Sequence, residues 1–84
     1  MFVSEIQDDV FILRADTSLD EGKSVKAILN ILGENEEVLA IEEVDTTVSN
    51  SLIEQAFDLD DLFEKYDLNE LDIIGYKGDI KWQN

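Results

Sequence analysis

Residues 51–66 read SLIEQAFDLDDLFEKY, and this stretch decides the predicted fold. Ser51 and Glu54 have the spacing of a capping box, in which the serine accepts a hydrogen bond from the first turn of a helix and the glutamate reaches back. Apolar residues follow at the spacing of one helix face: Leu52, Ala56, Leu59, Phe63 and Tyr66. The stretch therefore predicts an amphipathic helix over residues 51–66.

A second helix is predicted over residues 18–33. Ser18 and Glu21 repeat the capping-box spacing, and Gly33 stands where a left-handed residue commonly ends a helix. Between them, apolar residues fall at i, i+3, i+4 and i+7, which is one buried stripe of a helix: Val25, Ile28, Leu29 and Leu32. Gly22 lowers the helix propensity of the first turn.

The remaining segments favour strands. Residues 2–6 and 10–15 are rich in β-forming side chains and are separated by a short polar turn, which predicts a hairpin. Residues 38–44 alternate in polarity and predict a further strand. Residues 71–82 carry large side chains at even positions and predict one bent strand, or a hairpin that turns at residues 77–79.

Together these segments predict a single small α+β domain over residues 1–84. The predicted order is ββαβαβ, with a mainly antiparallel sheet and two amphipathic helices. A chain of 84 residues is near the size at which one apolar core becomes sufficient for folding.

The composition excludes most catalytic chemistry. The chain has 21 acidic and 6 basic residues, a formal net charge of −15, and no histidine or cysteine. An imidazole base, a thiol nucleophile and a thiolate metal site are therefore excluded, and we expect a non-enzymatic protein without cofactor or metal. No apolar run has the length of a membrane span, and the first residues lack the pattern of a signal peptide. The sequence thus predicts a cytoplasmic protein.

The negative charge predicts the chemistry of the partner. A field of this sign repels phosphate and anionic lipids and attracts basic surfaces, so we expect a basic protein partner, with no direct binding of nucleic acid or membrane. No basic residue occurs from Ala27 through Glu64, where the acidic residues concentrate. The predicted partner-binding residues are Glu34, Glu36, Glu37, Glu42, Glu43, Asp45, Glu54, Asp58, Asp60, Asp61, Glu64 and Asp67.

On the predicted helix over residues 51–66, the acidic residues form two neighbouring rows, and Asp60 and Glu64 make up the second. Glu54, Asp58 and Asp61 would lie one turn apart, with carboxylates separated by roughly 5–6 Å along the axis. Phosphates of a nucleic-acid strand are spaced on the same scale, at about 3.4 Å of axis per charge. This face is therefore predicted to imitate a phosphate backbone and to occupy the basic groove of a nucleic-acid-binding enzyme.

In size and charge the chain resembles the small phage inhibitors that act as DNA mimics, such as the uracil-DNA glycosylase inhibitor and several anti-CRISPR proteins. The resemblance covers composition and no sequence motif. It implies an anti-defence inhibitor encoded by a phage or a mobile element. Two alternatives stay open: an immunity protein or antitoxin that neutralises a basic nuclease toxin, and a subunit whose acidity only provides solubility.

Three other uses of the acidic residues fit the sequence poorly. Calcium loops started at Asp58 or Asp67 lack the required glycine and the final glutamate. Glycoside hydrolysis needs two carboxylates across a sugar cleft, for which so short a chain has little room. Ser18 follows Asp16 with one residue between, unlike the Asp-Ser-Leu segment of acyl carrier proteins.

Overall fold

The computed structural model describes residues 2–82, and within that range it contains six strands, one α-helix and two short 3-10 turns. The strands are β1 (Phe2–Gln7), β2 (Val10–Asp16), β3 (Ser24–Leu32), β4 (Val38–Thr47), β5 (Leu52–Asp58) and β6 (Gly75–Lys81). Helix α1 spans Leu59–Lys65, and the 3-10 turns span Glu34–Glu36 and Glu70–Asp72.

The strands form two antiparallel sheets of three strands each. The first sheet has the order β1-β2-β5, and the second has the order β4-β3-β6. Alternate side chains of both sheets point into one shared core, because successive residues of a strand face opposite sides. The core side chains from the strands are Phe11, Leu13, Ala15, Ile53 and Phe57 of the first sheet and Val25, Ala27, Leu29, Ile31, Ala40 and Ile80 of the second.

The two sheets pack face to face as a β-sandwich. The Phe11 ring of β2 lies 6.1 Å from the Tyr76 ring of β6, measured between centroids. Gly78 of β6 lies so close to β2 that a Cβ placed there would stand 2.8 Å from Leu13 Cδ1. Helix α1 buries Leu59 and Leu62 against the same core.

The helix predicted over residues 18–33 is wrong, because residues 24–32 form β3. Six of the eight residues from Val25 to Leu32 are apolar, so this segment satisfies a helical stripe and a strand alternation equally well. In the structure the segment follows the strand alternation. The odd-numbered side chains of β3 are buried, and the even-numbered ones from Lys26 to Leu32 are half-buried on the outer face. β3 is the central strand of its sheet and pairs with β4 and β6 along nearly its whole length.

The helix predicted over residues 51–66 is wrong for its first half. Residues 52–58 form β5, with Ile53 and Phe57 buried and Glu54 on the opposite face. The helix begins only at Leu59, where the Asp58 carboxylate accepts a hydrogen bond from the Asp61 N–H at 3.3 Å. Asp58, and not Ser51, is therefore the N-cap.

The predicted fold class is also wrong: 57% of the described residues lie in strands and 16% in helices, in place of two amphipathic helices on one sheet. The hairpin of β1 and β2 and the strand predicted over residues 38–44 are confirmed. Of the predicted strand or hairpin over residues 71–82, only Gly75–Lys81 forms a strand, β6, which continues through residues 77–79 without a turn. The start of the predicted segment is wrong, because Glu70–Asp72 form a 3-10 turn.

Three turns between strands place two successive residues in the left-handed region, as type I′ hairpin turns require. The pairs are Asp8-Asp9, Asn35-Glu36 and Asn50-Ser51, with φ values between 50° and 62°. Glycine is the preferred residue in such positions because it has no Cβ. None of these six left-handed positions is occupied by glycine.

Candidate functional site

The registers of the first sheet bring two acidic segments to the same end of the sandwich. Gln7 pairs with Val10, and Val10 pairs with Asp58, so the β1–β2 turn lies beside the junction of β5 and α1. The Leu59 N–H donates a hydrogen bond to the Asp9 carbonyl oxygen at 3.0 Å, which fixes this junction to the turn.

The second sheet adds two further acidic segments to this end. Leu32 pairs with Val38 on one side and with Gly75 on the other, which places the β3–β4 turn beside the start of β6. The segment of residues 66–74 crosses here, and its Ile74 N–H donates to the Leu32 carbonyl oxygen at 2.8 Å. The contact between Phe11 and Tyr76 shows that both sheets have this end in common.

This part of the surface, hereafter the acidic end, contains eleven carboxylates from four separate segments. All eleven side chains are exposed, and none forms a salt bridge with a residue that the structure describes. No lysine or arginine occurs in residues 7–10, 33–37, 58–61 or 66–74. The residues of the acidic end are Asp8, Asp9, Glu34, Glu36, Glu37, Asp58, Asp60, Asp61, Asp67, Glu70 and Asp72.

The opposite end of the sandwich carries little net charge. It consists of the loop of residues 17–23 and the turn of residues 48–51, joined by backbone hydrogen bonds such as the Thr17 N–H to the Ser51 carbonyl oxygen at 3.0 Å. These two segments contain the acidic residues Asp20 and Glu21 and the basic residue Lys23. The charge of the molecule is therefore polarised along the strands.

Seven of the twelve residues predicted to bind a partner lie at the acidic end: Glu34, Glu36, Glu37, Asp58, Asp60, Asp61 and Asp67. Glu64 adjoins them on α1, four residues after Asp60 and three after Asp61, which places it on the same helix face. The continuous helical row of Glu54, Asp58 and Asp61 does not exist, because Glu54 lies on a strand.

Three of the predicted residues are neutralised by basic partners. Glu42 accepts from Lys65 Nζ at 2.9 Å and from the Tyr66 hydroxyl at 2.9 Å. Asp45 pairs with Lys26 at 3.1 Å, and Glu54 pairs with Arg14 at 2.7 Å. The hydrogen bond to Glu42 raises the pKa of the Lys65 ammonium, as the one to Glu54 raises the pKa of the Arg14 guanidinium.

Glu43 is the remaining predicted residue, and it too lies away from the acidic end. It faces Ile28 on the outer face of the second sheet, since the two residues are paired in register. The same face carries three lysines, which are Lys26, Lys77 and Lys81. Charges of both signs are therefore mixed on this face.

Four residues of the acidic end were missed from the sequence: Asp8, Asp9, Glu70 and Asp72. Asp8 and Asp9 lie far from the acidic middle of the chain, and only the antiparallel pairing of β2 with β5 brings them beside Asp58. Their charge could have been assigned to the site once β5 was recognised as a strand. Glu70 and Asp72 belong to the segment that crosses this end before β6.

The acidic end can attract and orient a cationic surface. Within residues 2–82, no three side chains of the metal-ligating types converge closely enough to hold a metal ion. A cavity of about 280 Å³ lies at this end, between the β3–β4 turn and residues 71–74. No helix in the described range has the length and apolar character needed to cross a membrane.

Comparison of the chain with family models, with curated proteins and with solved structures finds no match. The function must therefore be inferred from the charge and geometry of the chain itself.

Proposed function

We propose that this protein is a non-enzymatic, cytoplasmic inhibitor or binding protein that inserts its acidic end into the basic, nucleic-acid-binding groove of a partner protein. The observation that carries the proposal is the collection of eleven exposed carboxylates from four chain segments at one end of the sandwich. Such a concentration of one charge sign steers a cationic partner toward that end and raises the association rate.

The turns at the acidic end support a role for its charge. Asp8, Asp9, Glu36 and Asp67 all have positive φ values, between 50° and 62°. A left-handed conformation costs roughly 1–2 kcal/mol for a residue with a Cβ, less for Asp and Asn, and glycine avoids that cost. The cost is largest at Glu36, which carries a carboxylate at the expense of stability, as is typical of residues kept for function.

The test uses two variants that remove the same charge from different places. The acidic-end variant carries Glu36→Gln, Asp60→Asn and Asp67→Asn. The control variant carries Asp20→Asn, Glu43→Gln and Asp79→Asn, all away from the acidic end. The Asp79 oxygen that accepts from the Ile80 N–H is retained by asparagine, so the control preserves that hydrogen bond.

Immobilised protein is incubated with a bacterial lysate at ~50 mM NaCl, and bound proteins are eluted with duplex DNA. We expect the DNA to elute a basic nucleic-acid-binding protein, because the DNA is a polyanion that competes with the acidic end for the same basic groove. The acidic-end variant should bind that partner roughly tenfold or more weakly, from three ion pairs of up to about 1 kcal/mol each, while the control variant binds like wild type.

Two results would contradict the proposal. One is equal loss of binding in both variants, which would make total charge, and not its location, the cause. The other is a partner that DNA does not elute and that stays bound at ~500 mM NaCl, which is the behaviour of an immunity protein centred on a buried hot spot.

A further inference from the structure

One side of the sandwich is left open between two strand edges. Among the described residues, β1 pairs only with β2 and β6 pairs only with β3. Between β1 and the start of β6 lies a groove of about 440 Å³, and the residues that line it include Ser4, Ile6, Phe11, Ile74, Gly75 and Tyr76. On the opposite side, β4 and β5 meet, and α1 follows β5 there. Tyr66, directly after α1, has its hydroxyl oxygen 3.1 Å from the Ile41 carbonyl oxygen of β4.

The groove leaves core-facing apolar side chains uncovered. Ile6 pairs in register with the buried Phe11, so it points to the core side of its sheet, yet it is 54% exposed. Ile74 on the facing wall is 70% exposed. An unpaired strand edge with apolar side chains beside it is a template for an added strand.

Charge identifies the occupant as basic. Glu5 lines the groove, and its partner Arg14 is shared with Glu54, so one cation serves two carboxylates. Burial raises the pKa of Tyr76, and the negative charges of Glu70 and Asp9 raise it further. A second copy of this chain would bring another charge of −15 to the same edge, which opposes self-association.

We propose that an extended segment of the basic partner adds to the first sheet along the free edge of β1. Because side chains alternate across a strand, residues beside Ile6 enter the groove and residues beside Glu5 face outward. The segment therefore alternates apolar and basic side chains. This inference rests on the proposed function, since the partner is the one that the acidic end attracts.

The experiment measures binding of a synthetic peptide to the isotope-labelled protein by NMR. The probe is a capped heptapeptide that alternates lysine with valine. We expect its addition to shift and protect the amides of β1, and its affinity to fall between ~50 and ~500 mM NaCl. A peptide with glutamate in place of lysine should not bind, nor should one whose amides facing β1 are N-methylated.

Two variants with matched charge locate the site. Ile6→Lys places a cation in the groove and should raise the Kd of the peptide tenfold or more. Ile41→Lys is the control, because Ile41 is 50% exposed on the outer face of β4, another edge strand.

Three results would overturn this inference: unperturbed β1 amides, equal weakening by Ile6→Lys and Ile41→Lys, or a dimer in sedimentation that Ile6→Lys dissociates. The last would make a second copy the occupant. If binding of the captured partner still depends on the acidic end but is unchanged by Ile6→Lys, only the strand-addition inference fails. If the acidic-end variant binds like wild type, the proposed function itself fails.

Discussion

Gly78 of β6 lies where the second sheet meets β2 of the first, and its replacement by alanine should destabilise the protein. The added Cβ would stand 2.8 Å from Leu13 Cδ1 and 3.0 Å from Phe11 Cε1. Carbon atoms pack best at about 3.5–4.0 Å, so these side chains must shift by several tenths of an ångström or more. Leu13 is 0% exposed and Phe11 is 3% exposed, so neither can move toward solvent.

Overpacking of this kind costs about 1–3 kcal/mol, offset by about 0.4–1 kcal/mol from the lower entropy of the unfolded chain. We therefore expect Gly78→Ala to lower the free energy of unfolding by about 1–2 kcal/mol, and the Tm by roughly 5–10 °C. Urea and thermal unfolding followed by circular dichroism measure both quantities. Gly75→Ala is the matched control on the same strand, and it should raise the stability by about 0.4–1 kcal/mol because its Cβ meets nothing.

Leu13→Val tests the cause, because it removes the atom that the new Cβ would meet. In that background Gly78→Ala should cost less than in the wild type, by at least about 0.5 kcal/mol of coupling energy. A Gly78→Ala protein as stable as the wild type would refute the close approach of the two sheets. So would an unchanged cost in the Leu13→Val background.

Three further predictions follow from the turns, the core edge and the charge. Glu36→Gly should be about 1–2 kcal/mol more stable than Glu37→Gly, because both remove one charge but only Glu36 has a left-handed φ; equal stabilities in urea would contradict this. Burial raises the pKa of Tyr76, so its neutral hydroxyl favours the folded state. Tyr76 therefore contributes to the free energy of unfolding fully below pH ~10, and this contribution should be lost as the pH rises through the folded pKa. When Tm is measured against pH in the alkaline range, Tyr76→Phe should lack the fall that ionisation of Tyr76 causes. An identical pH profile for wild type and Tyr76→Phe would refute the contribution of Tyr76. The wild-type Tm should rise between ~10 and ~500 mM NaCl as self-repulsion is screened, and it should rise less in the acidic-end variant than in the control variant; a flat or falling Tm would count against the unpaired acidic end.

The strands that could be predicted from sequence are those with an unambiguous pattern. The first hairpin has β-forming residues on both sides of a polar turn, and residues 38–44 alternate in polarity, so neither competes with a helix. β3 could not be assigned from its pattern, because its apolar residues fit both the period of a helix and the two-residue period of a strand. Pairing on both of its edges, which depends on residues 38–47 and 75–81, decides in favour of the strand.

The capping boxes failed for a local reason. Ser18 lies beside Thr17, whose hydroxyl accepts from the Leu19 N–H at 3.1 Å and forms a turn in place of a helix start. The Glu21 carboxylate accepts from the Asn50 N–H at 2.9 Å and ties two loops together. Side chains that cap helices also stabilise turns, so the spacing alone does not distinguish the two.

The acidity of the candidate site could be predicted from the sequence, but the set of residues that form the site could not. Glu34, Glu36 and Glu37 already lie together in the sequence, and the structure keeps them in one turn. Glu54 was predicted beside Asp58 on a helix and instead pairs with Arg14, because a strand turns it to the outer face of the first sheet. The net charge of the chain follows from its amino-acid composition. Which carboxylates lie together at the acidic end depends on the registers of the strands.

The most direct test of the acidic end as a phosphate mimic is displacement of labelled duplex DNA from the captured partner, followed by fluorescence anisotropy. Wild type and the control variant should displace the duplex completely and at equal concentrations. The acidic-end variant should need roughly tenfold more protein, as expected for the loss of up to three interfacial ion pairs. A ternary complex of partner, duplex and this protein would contradict the account at any salt concentration.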